Sequence, residues 1–171
     1  VVGGYDGDGN PVGWTEAFDA LTGTWEMRTD MPSRRSGLAL AAVGEGNQIR
    51  VFAMGGKQGA TLSDVNEEYD PAKDQWFARA PLPEARQWAV AAGVNGMVYL
   101  FGGSGTSFSL DLVQAYDPLL DVWTTQAPMP TPRTMAAIAV ENGRIHVIGG
   151  SGGSRDEHEV FTPSVICSGG Q

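Results

Sequence analysis

The amino-acid sequence predicts an all-β fold of repeated four-stranded antiparallel units, of the kind that form the blades of a propeller, and three observations carry this reading. An apolar strand ending in a glycine pair recurs, closing at Gly3-Gly4, Gly55-Gly56, Gly102-Gly103 and Gly149-Gly150. The second glycines lie 52, 47 and 47 residues apart, and a period near 50 is that of a propeller blade. Asn95-Gly96 and Asn142-Gly143 each separate two apolar runs, the strongest short-range hairpin signal. The 24 glycines and 10 prolines suit short strands joined by tight turns better than long helices.

Each unit holds four strands, here called a to d. Strand a is short and rich in alanine, as in Gly37 to Val43, Ala89 to Val94 and Met135 to Val140. Strand b follows and ends on the glycine pair. In the first unit only Val1-Val2-Gly3-Gly4 remains of it, and the link Gly44 to Gln48 lengthens the second unit. Strand c comes after a polar, turn-rich stretch and ends in an aromatic residue, at Phe18-Asp19, Tyr69-Asp70-Pro71, Tyr116-Asp117-Pro118 and Phe161-Thr162-Pro163. Strand d opens on Trp25, Trp76 or Trp123. Each tryptophan is followed seven residues on by Pro32, Pro83 or Pro130, and three further on by Arg35, Arg86 or Arg133.

Composition orders these strands radially. Strands crowded round an axis need small side chains, strands packed on both faces read as continuous apolar runs, and outer strands alternate. Strand a fits the axis, b the middle and d the rim.

The combination of Gly-Gly, Tyr-Asp-Pro, Trp and Pro-x-x-Arg at fixed spacings resembles the kelch repeat, over almost the whole chain. The resemblance implies four-stranded antiparallel blades of a β-propeller. Counting strands gives about three and a half blades, divided at 1–32, 33–83, 84–130 and 131–163, with 164–171 as a tail that lacks a tryptophan strand. Kelch propellers close with more blades than this, and bare blade faces are apolar patches that soluble monomers rarely tolerate. The expectation is therefore a homo-oligomer, or an arc completed by further blades. The chain starts at Val1, part-way into a repeat, which leaves room for a signal peptide or more blades before it.

A formal net charge of −9 disfavours nonspecific binding to nucleic acid or to anionic membranes. No run of 18 apolar residues spans a bilayer. The lone Cys167 excludes an intrachain disulfide and a cysteine-based metal site. Nothing in these residues assigns a compartment.

The glycine pairs lack the helix and Gly-Lys-Ser/Thr sequence of a phosphate loop and read as structural. The tryptophans with Phe18, Tyr69 and Tyr116 could stack on a sugar, but their regular recurrence reads as packing between blades. His146 falls where other units have Phe52 and Tyr99, and reads as a buried ring. His158 aligns with Thr15, Asn66 and Val113, so the two histidines read as unrelated and no metal or cofactor is expected. The copper oxidases built on kelch-like blades need paired histidines and a tyrosine-cysteine centre, which these residues do not supply. Asp6, Asp8 and Asn10 place oxygens at alternate positions, as a calcium loop does. Yet Pro11 stands where such a loop wants Gly, and Ala17 where it wants Glu, so a polar turn is the competing reading.

The recurring arginines attract most interest. In kelch adaptors, the resemblance implies, the arginine after the proline turn lies at the propeller mouth and helps hold acidic peptides. Arg35, Arg86 and Arg133 match that position, and Ser104 and Ser151 follow the glycine pairs in the adjoining loops. In an antiparallel meander the b-to-c and d-to-a connections emerge on one side, so these residues share a face. The competing reading makes each arginine a tie from the d-to-a turn to backbone carbonyls.

The leading function is a non-catalytic binding module that takes a protein, an acidic peptide or an acidic sugar on that face. One alternative is a sugar-directed enzyme resembling the kelch-type sialic acid mutarotases, with Arg133 on a carboxylate and Asp156, Glu157 or His158 as acid or base. Another is a structural piece of a larger propeller.

Overall fold

A computed structural model describes residues 1–106, 108–152 and 157–164. The calls that fall on Asp156, Cys167 and residues 165–171 lie outside them. Among the described residues every regular element except one 3-10 turn, Gly46–Gln48, is a β-strand, and no helix is long and apolar enough to cross a membrane.

The first sheet pairs β1 (Thr15–Asp19) with β2 (Thr24–Arg28), and Val2 bridges to Thr15 on the far side of β1. The second contains β3 (Ala39–Val43), β4 (Arg50–Met54), β7 (Asn66–Asp70) and β8 (Gln75–Arg79), antiparallel in that order. A small hairpin of β5 (Lys57–Gln58) and β6 (Thr61–Leu62), which the sequence does not announce, fills its b-to-c connection. The third sheet repeats the order with β9 (Val90–Val94), β10 (Met97–Phe101), β11 (Val113–Asp117) and β12 (Val122–Thr125). The fourth has β13 (Ala137–Glu141), β14 (Arg144–Ile148) and β15 (His158–Phe161). The protein is thus an all-β series of antiparallel propeller blades, and Asn95 and Asn142 turn its hairpins with φ of 52° and 50°.

The alanine-rich strands lie innermost, with β3 beside β9 and β9 beside β13. Gly93 shows why they must be small, because a β-carbon there would run into the main-chain carbonyl of Ala42 on β3. The core fills the two spaces between successive sheets. Met54, Leu82, Leu100 and Tyr116 meet between the second and third; Phe101, Met129, Ile145 and Val147 meet between the third and fourth.

Two backbone devices join one blade to the next. In the first, both glycines of each pair have positive φ, and the second donates its N–H to the arginine carbonyl of the next blade. Gly4 bonds Arg35, Gly56 bonds Arg86 and Gly103 bonds Arg133, at 2.8–2.9 Å. A side chain on Gly55 would strike that same carbonyl, so the position needs glycine for closeness as well as conformation.

The second device is a clamp. The indole N–H of Trp76 donates to the Thr29 carbonyl at 2.9 Å, while the Thr29 N–H donates to the Asp74 carboxylate at 3.0 Å. One blade on, Trp123 donates to the Ala80 carbonyl at 2.9 Å and the Ala80 N–H to Asp121 at 2.8 Å. Each aspartate also accepts the hydroxyl of the tyrosine stacked on its tryptophan, Tyr69 at 2.5 Å and Tyr116 at 2.6 Å. Asp74 and Asp121 adopt left-handed backbone, φ 52° and 57°, which aspartate tolerates better than most residues. The first unit keeps the stacked rings, Phe18 on Trp25 at 5.1 Å, but has Gly23 where the others have the clamp aspartate. Trp25 remains 59% exposed.

Trp123→Ala should therefore cost on the order of 3 kcal/mol, through lost burial and the lost indole hydrogen bond to the Ala80 carbonyl, which keeps only the Asn66 amide, whereas Trp25→Ala should cost under about 1 kcal/mol. Urea unfolding midpoints of the two variants compare them directly. The clamp also sets an acid limit. Hydrogen bonds from tyrosine hydroxyls and backbone N–H groups hold Asp74 and Asp121 below the ordinary carboxylate range, and burial with the nearby aspartate pushes Tyr69 up to about 12. A carboxylate with a depressed folded pKa contributes stability above its unfolded value of about 3.9 and loses it as pH falls through the lower folded value. The unfolding midpoint should drop below about pH 4, and less steeply in the double variant Asp74→Asn, Asp121→Asn.

Candidate functional site

The face expected to hold the ligand is built where the d-to-a turn of each blade meets the start of its b-to-c connection. Isolated bridges Ser36–Lys57, Gln87–Ser104 and Thr134–Ser151 join the two in successive blades. Further in, the turns bond to one another: the Trp88 N–H donates to the Gly37 carbonyl at 2.8 Å, and the Met135 N–H to the Trp88 carbonyl at 2.9 Å. Gly37, Trp88 and Met135 thus form a continuous inner rim, all with left-handed backbone (φ 63°, 58° and 53°). Only glycine takes this conformation cheaply; tryptophan and methionine there cost on the order of 1–3 kcal/mol each. Trp88 lies over Gly37 and is 39% exposed, and Met135 is 57% exposed. Tyr5 and Phe108 are also exposed in the b-to-c connections.

The three arginines lie beneath this face, not on it. Arg35, Arg86 and Arg133 are 0%, 1% and 2% exposed. The side chains of Arg35 and Arg133 turn inward to the carbonyl of the first glycine of their own blade's pair. Arg35 donates to the carbonyls of Gly55, Val65 and Ala53 and pairs with Glu67 on β7 at 2.8 Å. Ser33 completes that network, accepting from Arg35 Nε and donating to Glu67. Arg133 donates to the Gly149 carbonyl and pairs with Glu157 at 2.9 Å and Glu159 at 3.0 Å. The expectation that these two guanidiniums line an open mouth is corrected: they are neutralised ties within their blades.

Arg86 differs. At the place of Glu67 and Glu159 its blade has Gln114, and at the place of Ser33 it has Glu84, which is exposed. Among the described residues no acceptor reaches any of the three guanidinium nitrogens of Arg86, and the carbonyl oxygen of the buried Gln114 side chain also lacks a partner. Burial without a fixed acid pulls the Arg86 pKa down to about 10, with the Glu84 charge opposing the fall. The middle of the three arginines thus carries the one uncompensated charge of this set.

Ser151 is exposed on the face, where its carbonyl accepts from the Ser109 hydroxyl at 3.4 Å, and Ser104 joins it through its bridge to Gln87. Asp6, Asp8 and Asn10 form a turn in which the Asp6 carboxylate accepts the N–H groups of Asp8 and Asn10 and the Asn10 side-chain amide. These donors hold Asp6 below the ordinary carboxylate range. The loop gathers hydrogen-bond donors round that carboxylate, the opposite of what a calcium ion requires.

The two histidines, expected to be unrelated, are neighbours. Pairing of β14 with β15 brings His146 Nδ1 within 2.8 Å of His158 Nε2, with the rings 5.1 Å apart. They lie on the outward face of the fourth sheet with Glu141 and Arg144, where the third sheet has Tyr99, Val113, Val94 and Met97. Aligning repeats position by position hides this, because the partners sit diagonally on neighbouring strands. Among the described residues no three His, Cys, Asp or Glu side chains form a metal-binding group. Glu157 is tied to Arg133 while His158 faces the other side, so the proposed acid and base do not converge with the face.

Comparison with known proteins agrees with this geometry. The family model described as the kelch motif matches residues 1–32 and 89–130. Beta-scruin of Limulus polyphemus is 31% identical over 102 residues, a match that covers 56% of this chain and 11% of that protein.

The contrast among the arginines has a measurable consequence. Arg35→Ala strands the buried carboxylate of Glu67 and should cost about 3–5 kcal/mol. Arg86→Ala strands none and should cost clearly less. Gln114→Glu restores the acid present in the flanking blades and should raise stability by about 1–2 kcal/mol. Denaturant midpoints of the three variants test the order.

Proposed function

Because the chain is a kelch-repeat protein, we propose that it is a non-catalytic binding module that takes a protein or peptide segment on the rim formed by Gly37, Trp88 and Met135. Kelch repeats are generally protein-binding modules. The observation that carries the reading for this chain is the exposed Trp88 and Met135, both held in strained left-handed backbone at the innermost turn of their blades. A large apolar side chain kept at an energetic cost where Gly37 would serve without strain is what recognition, and not folding, asks for. The rigid blades fix these side chains, and the bridges Ser36–Lys57, Gln87–Ser104 and Thr134–Ser151 hold the start of the polar connections beside them.

The rim lies above Arg86, whose charge has no acid partner. An acidic residue in the ligand, seated in that sector, gains from the field of this guanidinium without competing with Glu67, Glu157 or Glu159. Acidic peptides are therefore the favoured class.

The test is a selection of displayed peptides on the purified protein, followed by affinity measurement of the recovered sequences. Trp88→Ala and Met135→Asp should each weaken binding about tenfold or more, and Arg86→Met should reduce its dependence on salt. Val122→Asp, at the distant c-to-d turn, should leave affinity unchanged. Recovered peptides that bind Trp88→Ala as tightly as the parent would place recognition elsewhere.

A further inference from the structure

We propose that Arg86 and Gln114 form a buried site for one small monovalent anion of the halide class, reached beside Glu84. The inference goes beyond the rim, since the site lies beneath that face, between the turn that leads into β9 and strand β11, and needs no peptide.

Register makes the comparison between blades direct. Glu67 pairs with Ala53 on β4, Gln114 with Leu100 on β10 and Glu159 with Val147 on β14, so the three side chains hold one place in three successive sheets. In two of them a carboxylate there meets the arginine, Glu67 with Arg35 at 2.8 Å and Glu159 with Arg133 at 3.0 Å. In the middle sheet the place goes to an amide of the same shape and no charge.

Nothing else in the blade makes up the difference. Arg86 and Gln114 are 1% and 2% exposed. Arg35 and Arg133 donate to the carbonyls of Gly55 and Gly149, and Ser33 Oγ accepts from Arg35 Nε at 2.8 Å. Arg86 makes neither kind of bond: among the described residues its Nε and both terminal nitrogens have no acceptor. Glu84, which stands at the place of Ser33, is exposed, and its carboxylate lies beside Gly105, where a β-carbon would come within 2.9 Å of Oε1. It acts on Arg86 only through its field.

An unpaired charge taken out of water is costly, and Arg86 keeps its proton at neutral pH even though burial draws its pKa down to about 10. A water molecule would accept some of these N–H groups but brings no countercharge. One guanidinium offers one positive charge, and the nearby Glu84 disfavours a dianion, so a single negative charge is the match. Gln114 supplies the selectivity. In its present orientation the amide leaves Oε1 without a partner; turned end for end, it aims its NH2 group at an anion. A carboxylate at that place, as in the flanking blades, would repel the anion instead.

The probe is chloride, titrated into the full chain in sodium gluconate at constant ionic strength with no peptide present. The Arg86 Hε and Gln114 side-chain amide resonances should shift together and saturate. The folded-to-unfolded ratio, from urea midpoints, should rise about tenfold once chloride reaches about ten times its Kd. Gln114→Glu keeps the shape and supplies an internal acid, so it should abolish both the Arg86 shift and the chloride dependence of stability. Glu84→Gln should tighten chloride binding several-fold. Shifts that never saturate, or a chloride dependence equal in the parent and in Gln114→Glu, overturn the proposal. So does chloride binding that appears only in Glu84→Gln, which would make Glu84 itself the countercharge of Arg86.

Discussion

The arrangement of the blades depends on one kind of contact, in which a residue just past the outer strand surrenders both its backbone groups to the next blade. Thr29 and Ala80 have no secondary-structure partner of their own, and an unpaired backbone group taken from water costs free energy comparable to a lost hydrogen bond. Trp76 with Asp74, and Trp123 with Asp121, meet that demand and cover it with a stacked tyrosine. The clamp acts at the rim, and the glycine pairs act nearer the axis by holding the next arginine's carbonyl. Two contacts at different radii fix the angle between neighbouring blades, which one contact alone would leave free to pivot.

Much of this was legible in the residues. The glycine pairs, the tryptophans and the Asn-Gly turns announced strands, their order and their radial places, because repetition at fixed spacing filters out chance. The partners of the arginines were harder to see. Glu67 and Glu159 occupy the second position of strand c, a place that reads as an ordinary solvent-facing acid, and only the fold turns it toward the guanidinium. Read together with Gln114, these positions form a pattern tied to Arg35, Arg86 and Arg133, and that covariation within one chain was the available signal. The left-handed backbone at Trp88 and Met135 left no signal, since neither residue type favours it.

The outward face of the fourth sheet is not a copy of the faces buried between blades. Glu141, Arg144, His146 and His158 stand where the third sheet presents Val94, Met97, Tyr99 and Val113 to its neighbour. Ile148 and Val160 share that face and are exposed, so it is mixed, and a blade stacked there in the usual way would desolvate two charges and a histidine pair beside them. The first sheet is the reverse, with Phe18 and Trp25 exposed and no clamp aspartate. The two faces differ in chemistry as well as position.

The exchange of Ser33 and Glu67 in one blade for Glu84 and Gln114 in the next bears on how such repeats recombine. The turn and strand-c positions round one guanidinium, Ser33 and Glu67 for Arg35 and Glu84 and Gln114 for Arg86, lie some thirty residues apart in the chain. A crossover inside a blade would pair Glu84 with Glu67, setting two carboxylates round one arginine, or Ser33 with Gln114, leaving it with none. A crossover between Pro32 and Ser33, or between Pro83 and Glu84, keeps each arginine with its own turn and strand-c residues. The proline turn is thus the natural breakpoint of this repeat: chimeras cut there inherit complete electrostatic sets, and those cut at the glycine pairs do not.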